Sequence, residues 1–212
     1  MSCTKQVEKT HYEFNRYMTK QRWISVWHQL DEIQKLNPRN VLEVGPGPGL
    51  FKMVAAAHDI AIETLDLDSE LKPDHVGSAT AIPLADATYD VVCAFQMLEH
   101  LPYEVSLQAF KEMTRVSRRH VVISLPDART VWRYHLHLPK FGSHDFLLPR
   151  PQLRAPANDF NGQHYWEINK RGYPLSRVIA DFSHDLRLMK TYRVPENPYH
   201  RFFIFEQGGR GV

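Results

Sequence analysis

The sequence predicts an α/β protein: a mostly parallel, doubly wound sheet with helices on both faces and an antiparallel C-terminal strand. Three observations carry that expectation. Short apolar runs alternate with helix-period segments between residues 40 and 126. Val41-Leu42-Glu43-Val44 runs directly into Gly45, Gly47 and Gly49, glycines at alternate positions. Two apolar segments near the end, 186–194 and 200–206, flank a Pro195–Pro198 turn and read as an antiparallel pair.

The elements follow in order. Residues up to about 40 read as helical, with Trp23, Val26, Trp27, Leu30 and Ile33 at helical spacing and Asn37-Pro38 as the stop. Residues 1–38 are therefore expected to form an N-terminal helical cap. Its tryptophans and Tyr17 are expected to pack on a sheet edge, in preference to covering an active site. Residues 40–44 form the first strand, 50–57 an alanine-rich helix, 59–65 the second strand and 76–77 a brief third. Residues 89–95 are apolar apart from Asp90, as suits a strand inside a parallel sheet. A helix over 103–117 is expected to bury Val105, Leu107, Phe110, Met113 and Val116. A strand over 120–125 stops at Pro126. Residues 127–163 break the pattern with Pro139, Pro149, Pro151 and Pro156, several aromatics and much basic charge. They read as a long irregular lid or binding loop, a substrate-lid insert over 127–165. A last helix covers 174–184.

The chain has 212 residues, 43% hydrophobic and 24% charged, the composition of one globular domain with a real core. No run approaches the length of a membrane span, and the N-terminus lacks a signal-peptide stretch. The two cysteines, Cys3 and Cys93, give no disulfide framework and fit a reducing cytoplasm. Net charge is +2, yet residues 111–154 hold nine Lys or Arg against three acids. That bias suits an anionic small molecule or nucleic acid; a solvated helix face plus a loop is the favoured account.

The glycine run differs from a dinucleotide fingerprint, because Phe51 stands where a third glycine or alanine belongs. Glu43 would repel a pyrophosphate. It suits a cationic ligand, or a loop whose N–H groups must be held. Asp66, at the end of the second strand, suits ribose hydroxyls.

Leu42-Glu43-Val44-Gly45-Pro46-Gly47-Pro48-Gly49, Asp66, Gly77-Ser78-Ala79-Thr80-Ala81-Ile82-Pro83, Tyr89-Asp90-Val91-Val92 and Leu98-Glu99-His100-Leu101 occur in this order between residues 40 and 126. Together they resemble the class I S-adenosylmethionine-dependent methyltransferases, in particular the type 11 branch. The resemblance implies a Rossmann-like seven-stranded fold and S-adenosyl-L-methionine as cofactor. It implies cofactor contacts from Glu43, Gly45, Gly47, Gly49, Asp66, Leu67, Ser78 and Ala79. Gln96, at the end of the fourth strand, is expected to face the crevice and to meet the cofactor's carboxylate side or the substrate. Ser78 stands where the family has an acid that accepts from the adenine amino group, so a weaker serine or backbone contact is expected.

Methyl transfer from a sulfonium is in-line displacement, and a base is needed only where the acceptor must lose a proton. His100 and His164 are the catalytic candidates. Arg129 and Arg133 are candidates to pair with a substrate carboxylate or phosphate, and Tyr165 and Glu167 to contact substrate. His135, His137 and His144 invite a metal reading, but no supporting ligand set accompanies them, and no metal is expected. The expected reaction is methyl transfer to an oxygen or nitrogen of a small molecule, anionic or aromatic. RNA or protein methylation and a non-catalytic binding fold are the alternatives. Ala94-Phe95-Gln96-Met97 stands where a base-amine methyltransferase carries Asn-Pro-Pro-Tyr, which argues against methylation of an exocyclic base amine; no separate RNA-binding module is found, and nucleic acid is not the expected partner. Monomer and homodimer both remain open.

Overall fold

Alternation along one strand divides the molecule into layers. In β4 (Tyr89–Phe95), Val91 and Cys93 are buried on one side of the sheet, Val92 and Ala94 on the other. A strand apolar on both faces belongs at the centre, and β4 lies in the middle of a seven-stranded sheet. The computed structural model describes residues 19–152, 154–160 and 162–208. Cys3 and Tyr17 lie outside them.

On one side of β4 are β1 (Val41–Val44), β2 (Ile62–Asp66) and β3 (His75–Val76), all parallel. On the other side β5 (Ser117–Pro126) is parallel. Beyond it, β9 (His200–Gln207) runs antiparallel to β5 and to β8 (Leu186–Arg193) at the edge. The order β3-β2-β1-β4-β5-β9-β8 reverses direction between β1 and β4, where a crevice opens at the carboxyl ends.

Two helices cover one face. α1 (Lys20–Leu36) starts where the Thr19 hydroxyl accepts from Arg22 N at 3.2 Å, and stops at left-handed Asn37. α2 (Leu50–Ala56) follows the glycine turn. Ile33, Phe51 and Ala55 from this layer meet Val41, Val122, Phe202 and Ile204 of the sheet. The opposite face carries α3 (Tyr103–Val116) and α4 (Leu175–Phe182), which bring Phe110, Met113, Val178 and Phe182 onto Leu42, Val121 and Ile123. Trp166 is fully enclosed in this layer, edge-on to Tyr103 at 4.9 Å. Asp90 locks the start of β4. Its buried carboxylate accepts from the Arg39 backbone N at 3.0 Å and Nε at 3.2 Å, and also pairs with Arg118. The Arg39 hydrogen bond is the main reason its pKa lies far below the usual range.

The second strand begins at Ile62 and not at 59, and Val105 and Leu107 are only partly buried. Three larger expectations change. α1 has the expected period but turns a different stripe inward: Ser25, Val26, Gln29, Glu32 and Ile33 are buried, while Trp23 and Trp27 are exposed. The inward stripe is polar because it has polar neighbours. Lys190 Nζ on β8 donates to Glu32 at 2.7 Å, and Asn197 Nδ2 donates to Ser25 Oγ at 3.1 Å. β5 starts three residues earlier than expected, at Ser117. Residues 127–163 are not irregular throughout. β6 (Val131–Leu138) and β7 (Gly142–Pro149) form a separate antiparallel hairpin, in register from Val131↔Pro149 to Leu138↔Gly142.

Candidate active site

A cavity of about 930 Å³ occupies the crevice at the strand ends. Its first half is built by β1, β2 and the loops after them. Gly45 has φ +70°, and a Cβ added there would lie 2.4 Å from Met97 Cγ, so the glycine is required by both conformation and space. Gly47 also borders the cavity. Gly49 is not in the lining; it is the left-handed N-cap of α2. Glu43 sits beneath this loop, almost wholly buried, and its Oε2 has no hydrogen-bond partner among the described residues. Burial pushes its pKa up to about 8, so its carboxyl is largely protonated at neutral pH.

Asp66 ends β2 facing the cavity. Its Oδ1 accepts from Asp68 N at 2.9 Å, and burial raises its pKa. Leu67 beside it is a largely exposed apolar wall. Ser78 and Ala79 line the adjoining side. The Ser78 hydroxyl serves its own turn, 2.9 Å from Thr80 Oγ1 and accepting from Thr80 N at 3.2 Å. Gln96 follows β4 at φ +53°, unusual for a residue with a side chain, and its Nε2 donates to Ser124 Oγ at 3.2 Å.

The second half is assembled from distant parts of the chain. His100 Nδ1 donates to Gln163 O at 3.0 Å. His164 Nδ1 donates to Glu167 Oε1 at 3.0 Å, and the Tyr199 hydroxyl lies 3.3 Å from the same nitrogen. The two imidazoles meet edge to face, centroids 5.0 Å apart. Tyr165 N donates to Glu99 O at 2.9 Å, tying this loop to the end of β4, and Tyr165 borders the cavity. Glu167 lies behind His164, outside the lining. Burial raises its pKa, but hydrogen bonds from His164 and Lys170 outweigh that and leave it below the ordinary value. Glu99 is fully buried at the cavity wall, and burial pushes it up to about 8. His200 is held neutral, burial taking it down to about 3.

The arginines stand elsewhere. Neither Arg129 nor Arg133 lines the cavity. Arg133 donates to Glu196 O and pairs with Asp145, both at 3.3 Å. Arg129 is tied through its backbone, its N donating to Asp127 and its O accepting from Arg193. His135, His137 and His144 sit on the exposed hairpin, each bonded locally, to Asp145, Ser143 and Phe141 O. The sequence reading missed Arg22, Ser25 and Gln29 of α1, Tyr199 of the β8–β9 turn and His200 at the start of β9, all in the cavity wall. No local motif marks them. Only the sheet order brings them there.

A family model described as a methyltransferase domain matches residues 42–125, the stretch that supplies the glycine loop, Asp66, Ser78 and Gln96. Residues 42–125 are a methyltransferase domain of this family. An uncharacterized methyltransferase of Mycobacterium ulcerans is 33% identical over 161 residues, covering 70% of this chain and 60% of that protein. One from Mycobacterium sp. strain JLS is 29% identical over 159 residues, covering 69% and 58%. The chain thus spans about 60% of the length of these curated relatives. Among solved structures, a Burkholderia thailandensis 1,6-didemethyltoxoflavin-N1-methyltransferase superposes with TM-score 0.61 at 11% identity, covering 93% of this chain and 84% of that one. That structure holds bound 1,6-didemethyltoxoflavin and S-adenosylhomocysteine. A glycopeptide N-methyltransferase with S-adenosylhomocysteine superposes with TM-score 0.60 at 10% identity, covering 87% and 89%. The methyltransferase fold is therefore shared along most of the chain. No described helix is long and apolar enough to cross a membrane.

Proposed function

We propose that this protein transfers a methyl group from S-adenosylmethionine to an oxygen or nitrogen of a small molecule. The carrying observation is one cavity that joins the glycine loop and Asp66 to the His100–His164 pair. When bound, the cofactor supplies a sulfonium methyl group. The residues fit such a ligand. Gly45 leaves room that a Cβ would fill, and Glu43 offers a buried, unpartnered oxygen to a cationic amino end. Asp66 is placed to accept from ribose hydroxyls, Leu67 and Ala79 to flank an adenine, and Gln96 to border the reacting end. Because the Ser78 hydroxyl is engaged with Thr80, this reading assigns the adenine amino group to backbone acceptors.

His100, His164 and Tyr165 flank the acceptor space, and Glu167 orients His164 from behind. With each Nδ1–H donated to an oxygen, the lone pair of each imidazole is on Nε2. Alignment of acceptor and methyl group is the main contribution expected of the protein. Arg129 and Arg133 are not included in the substrate site, since neither lines the cavity. A cytoplasmic setting goes with this reading, as Cys93 is a buried free thiol.

Calorimetric titration with S-adenosylmethionine tests the proposal. Wild type is expected to bind, and Asp66→Ala to bind at least about ten-fold more weakly, the scale of one charge-assisted hydrogen bond. Absence of binding in folded protein would overturn it.

A further inference from the structure

We infer that Glu99, His100 and His164 hold a divalent transition-metal ion that ligates the methyl acceptor. One ligand atom from each of these residues lies within 4.8 Å of the other two, a convergence of two imidazoles and one carboxylate. Ligands about 2.1 Å from one ion stand roughly 3 to 3.5 Å apart, so side-chain rotations of about an ångström complete the site. Glu99 is the second, independent observation. It is fully buried in the cavity wall, and neither carboxylate oxygen has a hydrogen-bond partner among the described residues. Its own backbone N–H and the nearby charge of Arg22 relieve it only in part, and a cation at the cavity end supplies a ligating partner.

The hydrogen bonds behind the imidazoles agree. Ligating histidines characteristically donate the other ring N–H to a carbonyl or carboxylate, which fixes the tautomer. His100 Nδ1 donates to Gln163 O, and His164 Nδ1 to Glu167 Oε1, which Lys170 also holds at 2.9 Å. Both Nε2 atoms then carry lone pairs. Two nitrogens and one oxygen suit Zn²⁺, Mn²⁺ or Fe²⁺ better than the all-oxygen cations Mg²⁺ and Ca²⁺. Arg22, on the same cavity wall, is positive like the ion and competes with it for the Glu99 charge.

Three protein ligands leave coordination positions open to the cavity. The fitting acceptor is a hydroxyl beside a second oxygen, such as an ortho-diphenol or an α-hydroxy carbonyl, which can chelate. Ligation acidifies the hydroxyl, whose proton passes to buffer. The acceptor oxygen forms its bond to the methyl carbon as the carbon–sulfur bond breaks, leaving methyl ether, thioether and one proton. This acceptor assignment rests on the methyl-transfer reading; the ion site does not.

The test titrates chelator-treated full-length protein with Co²⁺, followed by absorption, and with Zn²⁺, followed by calorimetry. One ion per chain is expected, with affinity reduced at least about ten-fold in Glu99→Gln and His164→Gln, and ten- to hundred-fold in Glu167→Gln. A double variant, His135→Ala with His137→Ala, is expected to bind like wild type. No ion bound by protein that still binds S-adenosylmethionine would overturn the ion site and leave methyl transfer standing. Undiminished binding in Glu99→Gln would also overturn it. Ion binding that depends on Glu99, in protein that does not bind S-adenosylmethionine, would keep the site and remove its link to methyl transfer.

Discussion

The central strands and the β6–β7 hairpin use similar apolar residues to opposite ends. In β4 nearly every side chain is enclosed, because helices cover both faces of the sheet. In the hairpin, Trp132, Tyr134, Leu136, Leu138, Phe146 and Leu148 are all exposed. The register pairs Trp132 with Leu148 and Tyr134 with Phe146, so these residues share one face. Two strands cannot enclose their own apolar face. The lesson is that stability and the cavity belong to the sheet, and that the hairpin is surface. Matched substitutions in the two regions can break that contrast.

The largest difference is expected between two aspartates. Asp90→Asn removes a buried carboxylate that joins Arg39 and Arg118, and is expected to cost about 2 to 3 kcal/mol. Asp145→Asn removes a partly exposed partner of Arg133 at 3.3 Å and is expected to cost less than about 1 kcal/mol. Urea unfolding measures both. Equal losses would mean that the hairpin is integral to the fold. Asp90 also sets a pH dependence. Its folded pKa lies below its unfolded one, so its contribution is complete above about pH 4. It is lost as pH falls toward the folded value, and Asp90→Asn is expected to flatten that part of the acid-unfolding curve.

Two glycines give the next contrast. Gly45→Ala places a Cβ 2.4 Å from Met97 Cγ in a loop that borders the cavity. Cofactor affinity is expected to fall by about a hundred-fold, as displaced backbone in a close-packed wall carries ligand contacts with it. Gly142→Ala, at φ +83° with nothing within 4 Å, meets only the left-handed backbone penalty. It is expected to cost about 1 to 2 kcal/mol of hairpin stability and leave calorimetric binding unchanged.

How much of this was legible follows the same division. β4 was readable to the residue because its run is apolar apart from Asp90. The glycine loop and Asp66 were readable because strand ends fix where they point. The start of β5 was hidden by Ser117, Arg118 and Arg119, whose polarity resembles a loop. In the structure Ser117 Oγ donates to His120 O, and Arg118 pairs with Asp90. The hairpin was legible and was missed. Trp132, Tyr134, Leu136 and Leu138 alternate with Arg133, His135 and His137, a period of two obscured by the surrounding prolines and basic charge. Tyr199 and His200 had no local signal. They reach the cavity because β9 pairs with β5, bringing His200 opposite Pro126.

A smaller effect sharpens the view of the sheet as a prepared site. Glu43 has a folded pKa of about 8, above that of an unfolded glutamate. Its contribution to stability is complete below about pH 4 and is lost as pH rises through 8. Binding of a cationic cofactor that needs the ionised carboxylate therefore releases a proton. Affinity is expected to rise several-fold per pH unit between about 6 and 8 and then level. Calorimetry in buffers of differing ionisation heat counts the proton. Glu43→Gln is expected to remove its part of the release, and an unchanged proton count would detach Glu43 from the ligand.

The smallest effect is expected from removing the hairpin. Residues 131–149 leave the body close to Asp127, whose carboxylate is buried and bonded to Arg201 Nε at 2.8 Å and to Asn169 Nδ2 at 2.8 Å. Arg193 holds the backbone oxygen of Arg129 at 2.8 Å. These anchors lie before the hairpin begins, so a short Gly-Ser bridge from 130 to 150 preserves them. The melting temperature is expected to move by no more than about 2 to 4 °C, the shift of roughly 1 kcal/mol in a chain of this size. S-adenosylmethionine binding is expected to stay within about two-fold, since no hairpin residue lines the cavity. A large drop in either would mean that the apolar face is covered in solution and helps hold the sheet. Unchanged cofactor binding with a raised acceptor KM would instead make the hairpin a lid over the acceptor half, where His164 and Tyr165 follow it in the chain.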